Sequence, residues 1–120
     1  MPDLDTLRQL ARDVGEDTAL KLLQIFKTDA DKRIAAVRTY LQGEFDTTNL
    51  RIQAHSLKGL CQTYGASEGG KAAASLEDAC QGGDDADIRA KAQIVLDIIP
   101  QNVAATMRAA KSLEADNTQG

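Results

Sequence analysis

One hundred and twenty residues suffice for one packed domain and leave little chain for a second. Aromatic residues make up only 3 % and proline occurs twice, which argues against a many-stranded β protein, while 14 Lys and Arg against 18 Asp and Glu give a net charge of −4 that argues against a nucleic-acid partner. No apolar run approaches the ~20 residues of a membrane span, and Met1-Pro2-Asp3-Leu4-Asp5 lacks the zones of a signal peptide, so a cytoplasmic location is expected.

In chain order, Leu4, Leu7, Leu10 and Ala11 recur at three to four residues and predict a short first helix that stops at Gly15. From about Asp17 to Gln42 the seam Ala19, Leu23, Phe26, Ala30, Ile34, Val37 and Leu41 predicts a long second helix, ended by Gly43. Asp46 or Thr47 can cap a third helix that stops at Gly65. A fourth starts near Ser67, weakened by Gly69 and Gly70, and ends at Gly82-Gly83-Asp84-Asp85. The last runs from about Ala86 to Leu113. Its apolar positions stay in phase across Pro100, which predicts one kinked helix rather than two. The expected architecture is all-α, an up-and-down four-helix bundle with a short extra N-terminal helix. A single domain over 1–114 would be followed by a frayed tail over 115–120.

Cys61 and Cys80 are too few for a disulfide framework or a zinc site and are expected as buried, reduced thiols. On a wheel of about 100° per residue, Leu50, Ala54, Leu57, Leu60, Cys61 and Tyr64 share the core side of the third helix. The chain's one histidine, His55, points away from them, with Arg51, Ile52, Lys58, Gly59 and Gln62 nearest to it. A Cys61–His55 dyad is excluded by these directions. So is a metal site, because no second histidine or ligand-spaced carboxylate shares the face. A neutral, exposed imidazole is a competent nucleophile. Lys58, Arg51 and the amide of Gln62 favour an anionic electrophile such as a phosphoryl group, and Gly59 leaves the approach open. Glu77-Asp78 and Asp84-Asp85 read as solvated surface charge.

The run Ala54-His55-Ser56-Leu57-Lys58-Gly59, followed by Gly65-Ala66 and Leu76-Glu77, resembles the histidine-containing phosphotransfer (HPt) family over nearly the whole chain. Leu60-Cys61 and Gly69-Gly70 depart from its pattern. The resemblance implies a phosphorelay intermediate whose His55 accepts a phosphoryl group from a receiver-domain aspartate and passes it to another receiver in two-component signalling. It implies that Lys58 lies beside the phosphoryl oxygens, with Gln62 as a polar neighbour, and that Gly59 opens access. Arg51 and Ile52 are expected at the docking face. The partners would be response-regulator receiver domains and a hybrid or sensor histidine kinase. Such a protein is a carrier and not an enzyme with its own ATP site: it has no cofactor of its own, Mg²⁺ is expected on the receiver, and a monomer is the default. The alternatives are a receiver-binding module that is never phosphorylated and the dimerisation bundle of a sensor kinase. Ser56 and the short chain disfavour the second of these.

Overall fold

The computed structural model describes residues 2–43 and 46–119, with side chains as far as residue 113. Five helices account for almost all of it: α1 (Leu4–Val14), α2 (Glu16–Leu41), α3 (Thr47–Thr63), α4 (Ser67–Gly82) and α5 (Asp85–Gln119). No strand occurs among the described residues. The side chains expected to fray over 115–120 lie outside those described, while the backbone of α5 is helical to Gln119.

Local chemistry sets the helix ends. Asp3 accepts from the amides of Asp5 and Thr6 at 3.1 and 3.3 Å, which satisfies two of the free donors at the start of α1. Gly15 closes α1 and opens α2 at φ 87° and ψ 156°, a backbone region in which a side chain would be strained. Between α3 and α4 the turn at Gly65 has φ 79°, and its carbonyl accepts from the amide of Asp3 at 2.7 Å. The start of the chain is thereby tied to the far end of α3. Pro100 lies inside α5 without ending it, because packing of the flanking residues holds both halves.

Cross-helix contacts give the neighbours and their directions. Phe26 stacks on Tyr64 with ring centroids 4.9 Å apart, and Arg33 donates to Gln53 at 3.0 Å, so α2 and α3 run in opposite senses. The C-terminal end of α2 meets the beginning of α5, where Tyr40 donates to Asp85 at 3.4 Å and the Arg89 guanidinium stands 5.6 Å from the Tyr40 ring centroid. The buried seam of α2 is Ala19, Leu23, Phe26, Ala30, Ile34, Val37 and Tyr40; the spacing predicts it as far as Val37, but in the last turn Tyr40 takes the buried place and Leu41 is only partly buried against the core. Leu50, Leu57 and Leu76 from α3 and α4 meet Val95 and Ile99 of α5 in the same core. Full burial of each such side chain stabilises the fold by about 1.5–3 kcal/mol.

One buried polar contact adds to the apolar packing between α4 and α5. Ala66, at the N-cap of α4, has no side chain that could cap. Asn102 of α5, only 6 % exposed, supplies the missing acceptor through Oδ1, 2.7 Å from the Gly69 amide. Asn102→Leu would leave that amide buried and unpaired. Urea unfolding should show a loss of about 1–3 kcal/mol. Asn102→Asp keeps an acceptor beside a helix N-terminus and should recover much of the loss; equal destabilisation by both variants would contradict the capping role.

Candidate functional site

The site is assembled on α3. The Asp46 side chain accepts from the Asn49 amide at 2.9 Å and starts the helix, and Leu50, Ala54, Leu57 and Cys61 bury one side of it. The period of the helix then turns His55 outward, and 68 % of its side-chain surface is exposed. A Cβ placed at Gly59 would meet nothing within 4 Å, so the approach to the imidazole is open. Arg51 and Ile52 are both exposed, with Ile52 at 50 %.

Next to His55 stands a residue that its sequence neighbourhood suggests is solvated surface charge, and the structure corrects this. Glu77 of α4 is buried, with 12 % of its side chain exposed. Its Oε2 lies 2.7 Å from His55 Nδ1 and its Oε1 lies 2.6 Å from Lys58 Nζ. One carboxylate therefore holds two α3 side chains a turn apart. Asp78, its neighbour in sequence, points away and is exposed, so only one of the two carboxylates is the solvated charge that the sequence suggests. Ala73, Leu76 and Cys80 are all buried on α4, and Glu77 lies within their stripe. A lone acidic residue inside an apolar helix face was the signal available in the sequence.

The carboxylate is kept ionised. The hydrogen bond from Lys58 is the largest influence and lowers the Glu77 pKa from its ordinary value; burial pushes the other way, and the bond from His55 lowers it further. An ionised carboxylate only accepts hydrogen bonds, so Nδ1 of His55 carries the proton in this contact. In the neutral ring the lone pair is then on Nε2, at the opposite edge of the imidazole. Lys58, 28 % exposed, is anchored to Glu77 and remains beside the ring.

Gln62 is not brought to the imidazole. It is exposed two turns further along α3, with its Cγ close to the backbone of Gly70 on α4. Cys61 is fully buried, and burial pushes its thiol up to about 12, so it supplies no thiolate near neutral pH. Burial also raises the thiol of Cys80. Among the described residues, no group of three or more His, Cys, Asp or Glu side chains is placed to hold a metal ion, and no helix is long and apolar enough to cross a membrane.

The family model for the Hpt domain matches residues 21–114, from the first turns of α2 into the last part of α5, and the chain belongs to the Hpt domain family. The family comprises helical phosphocarrier modules that act in histidine phosphotransfer in two-component signalling. No match is found among curated proteins or among solved structures.

The bridge has a pH signature. Because the folded-state pKa of Glu77 is lowered, its contribution to stability is fully present above the unfolded value of 4.5 and is lost as pH falls through the folded pKa. Wild-type protein should therefore lose stability relative to Glu77→Gln when denaturation is followed from pH 6 down through the acid range. Above about pH 5 the difference between the two should be flat with respect to this group. A difference that stays constant at every acid pH would mean that the carboxylate is not held ionised by its partners.

Proposed function

We propose that this protein is a phosphorelay intermediate in which Nε2 of His55 accepts a phosphoryl group from a receiver-domain aspartate and passes it to a second receiver. The observation that carries this reading is the bridging carboxylate of Glu77, since it leaves the nucleophilic lone pair on the exposed side of the one histidine. In the transfer, the Nε2 lone pair forms the N–P bond while the bond from phosphorus to the aspartyl oxygen breaks, and the electron pair leaves with the aspartate. The ring becomes positively charged as the bond forms. Glu77, at the opposite nitrogen, offsets that charge without taking the proton. Lys58 stands beside the ring as a cation for the phosphoryl oxygens; Gln62, two turns further along α3, would act only as a polar group at the edge of the partner's approach. The return step reverses the same bonds on another receiver.

The architecture that goes with this reading is an up-and-down four-helix bundle of α2 to α5, with α1 as an additional short helix and α5 bent at Pro100. The opposed directions of α2 and α3 support it. The working unit is a single domain over 1–114, in keeping with the end of the family match. The protein works in the cytoplasm as a monomer and has no ATP site of its own. Its partners are response-regulator receivers and a hybrid or sensor kinase, with Mg²⁺ residing on the receiver. Arg51 and Ile52 flank the approach, which Gly59 keeps open.

Incubation with a phosphorylated receiver should place acid-labile label on the wild-type protein and none on His55→Gln. Label that persists on His55→Gln would overturn the assignment. Ile52→Asp should slow transfer by about tenfold, equivalent to ~1.4 kcal/mol of docking, with an unchanged helical circular-dichroism spectrum. Equal rates for the two proteins would remove Ile52 from the docking face.

A further inference from the structure

Two pairs of residues face each other between α3 and α4: His55 with Glu77, and Gln62 with Gly70. His55 and Gln62 are seven residues apart on α3, and Gly70 and Glu77 are seven apart on α4. Both pairs therefore lie on one stripe of each helix, two turns or roughly 10.5 Å apart. At one end a carboxylate reaches across to two donors at 2.7 and 2.6 Å. At the other end there is no side chain from α4 at all. A Cβ on Gly70 would stand 3.2 Å from Gln62 Cγ and 3.7 Å from Cys61 Cβ. A Cβ on Gly69 would stand 3.1 Å from Cys61 Sγ, 3.2 Å from Asn102 Oδ1 and 3.3 Å from Ile99 Cγ1.

Neither glycine has a positive φ, so the backbone conformation does not call for glycine at either position. Both lie inside a helix, where glycine is unfavourable. What they provide is closeness. Axes of packed helices stand about 8–10 Å apart according to the side chains between them, and at Gly69 and Gly70 even a Cβ would press on α3 at 3.1–3.2 Å. The buried bond from the Gly69 amide to Asn102 fixes the same turn against α5.

We propose that Gly70, with Gly69 and Asn102 anchoring its turn, is a positioning residue for His55: with no side chain between the helices, it sets the separation at which Glu77 reaches His55 and Lys58 together. Hydrogen bonds of this length weaken steeply with added distance, so an outward shift of α4 loosens both contacts. The imidazole then loses the constraint that keeps its proton on Nδ1. The functional half of this inference rests on His55 as the phosphoryl acceptor; the structural half does not.

Nitrogen-15 NMR of the His55 ring separates the two. Wild-type protein should show the neutral ring protonated at Nδ1. Gly70→Val should move the ring toward the Nε2-protonated form, which prevails in free histidine, and should slow transfer from a phosphorylated receiver by roughly 10- to 100-fold. Adding Gln62→Ala to Gly70→Val removes the obstructing stem and should restore the Nδ1–H signature. That rescue is read from the ring alone, because Gln62 itself faces the partner. If Gly70→Val does not fold, Gly70→Ala carries the same test with a smaller shift in the ring signature. An unchanged ring in the folded Gly70 variant, or a changed ring that Gln62→Ala does not restore, overturns the proposal. If the ring responds as expected while wild-type protein takes no label on His55, the positioning role stands and the phosphotransfer reading falls.

Discussion

A buried carboxylate needs partners, because removing its charge from water costs several kcal/mol that only hydrogen bonds and opposite charge can offset. Glu77 meets that requirement with two side chains from the neighbouring helix, one cationic and one aromatic. The result is a small electrostatic unit in which each member constrains the others. Lys58 keeps the carboxylate ionised, the carboxylate keeps the proton on Nδ1 of His55, and the imidazole is left with its nucleophilic nitrogen toward solvent. The chemistry assigned to the protein follows from that order.

The unit depends on how α4 lies against α3, and that contact is built from small residues. Ala66, Gly69, Gly70 and Ala73 are all buried, which lets the backbone of α4 come near to Cys61 and Gln62. The absence of a side chain cap on α4 is made good by Asn102, which lies two helices along the chain from the imidazole but hydrogen-bonds to the first turn of α4. The glycine pair, which departs from the pattern expected at these positions, thus has a packing reason. Its cost in helix propensity is offset by the close approach it permits.

The remaining features of the surface divide by the same geometry. His55, Ile52, Arg51 and Gly59 are exposed because the helical period turns them away from Leu50, Ala54 and Leu57. Cys61 belongs to the opposite side and is chemically quiet, since burial raises its thiol well above the neutral range. Around His55 the surface therefore presents an open backbone at Gly59, an exposed apolar side chain at Ile52 and the Lys58 ammonium, held by Glu77.

The helices, their apolar seams and the outward direction of His55 were legible in the chain, because each depends on a period of about 3.6 residues acting within one segment. Gly15, Gly65 and Gly83 likewise marked helix ends through local backbone chemistry. For Glu77 the chain shows only that an acidic residue falls inside the apolar stripe of Ala73, Leu76 and Cys80, not what it pairs with. Its adjacency to Asp78 favoured a solvated reading, and only the register of α4 against α3 brings it within 2.7 Å of Nδ1. Asn102 was equally silent, since nothing in its surroundings on α5 points to an amide on α4. Periodicity along a helix determines which way a side chain faces. Which partner it finds there is decided by the separation and register of two helices, and these follow from the packing of the whole domain.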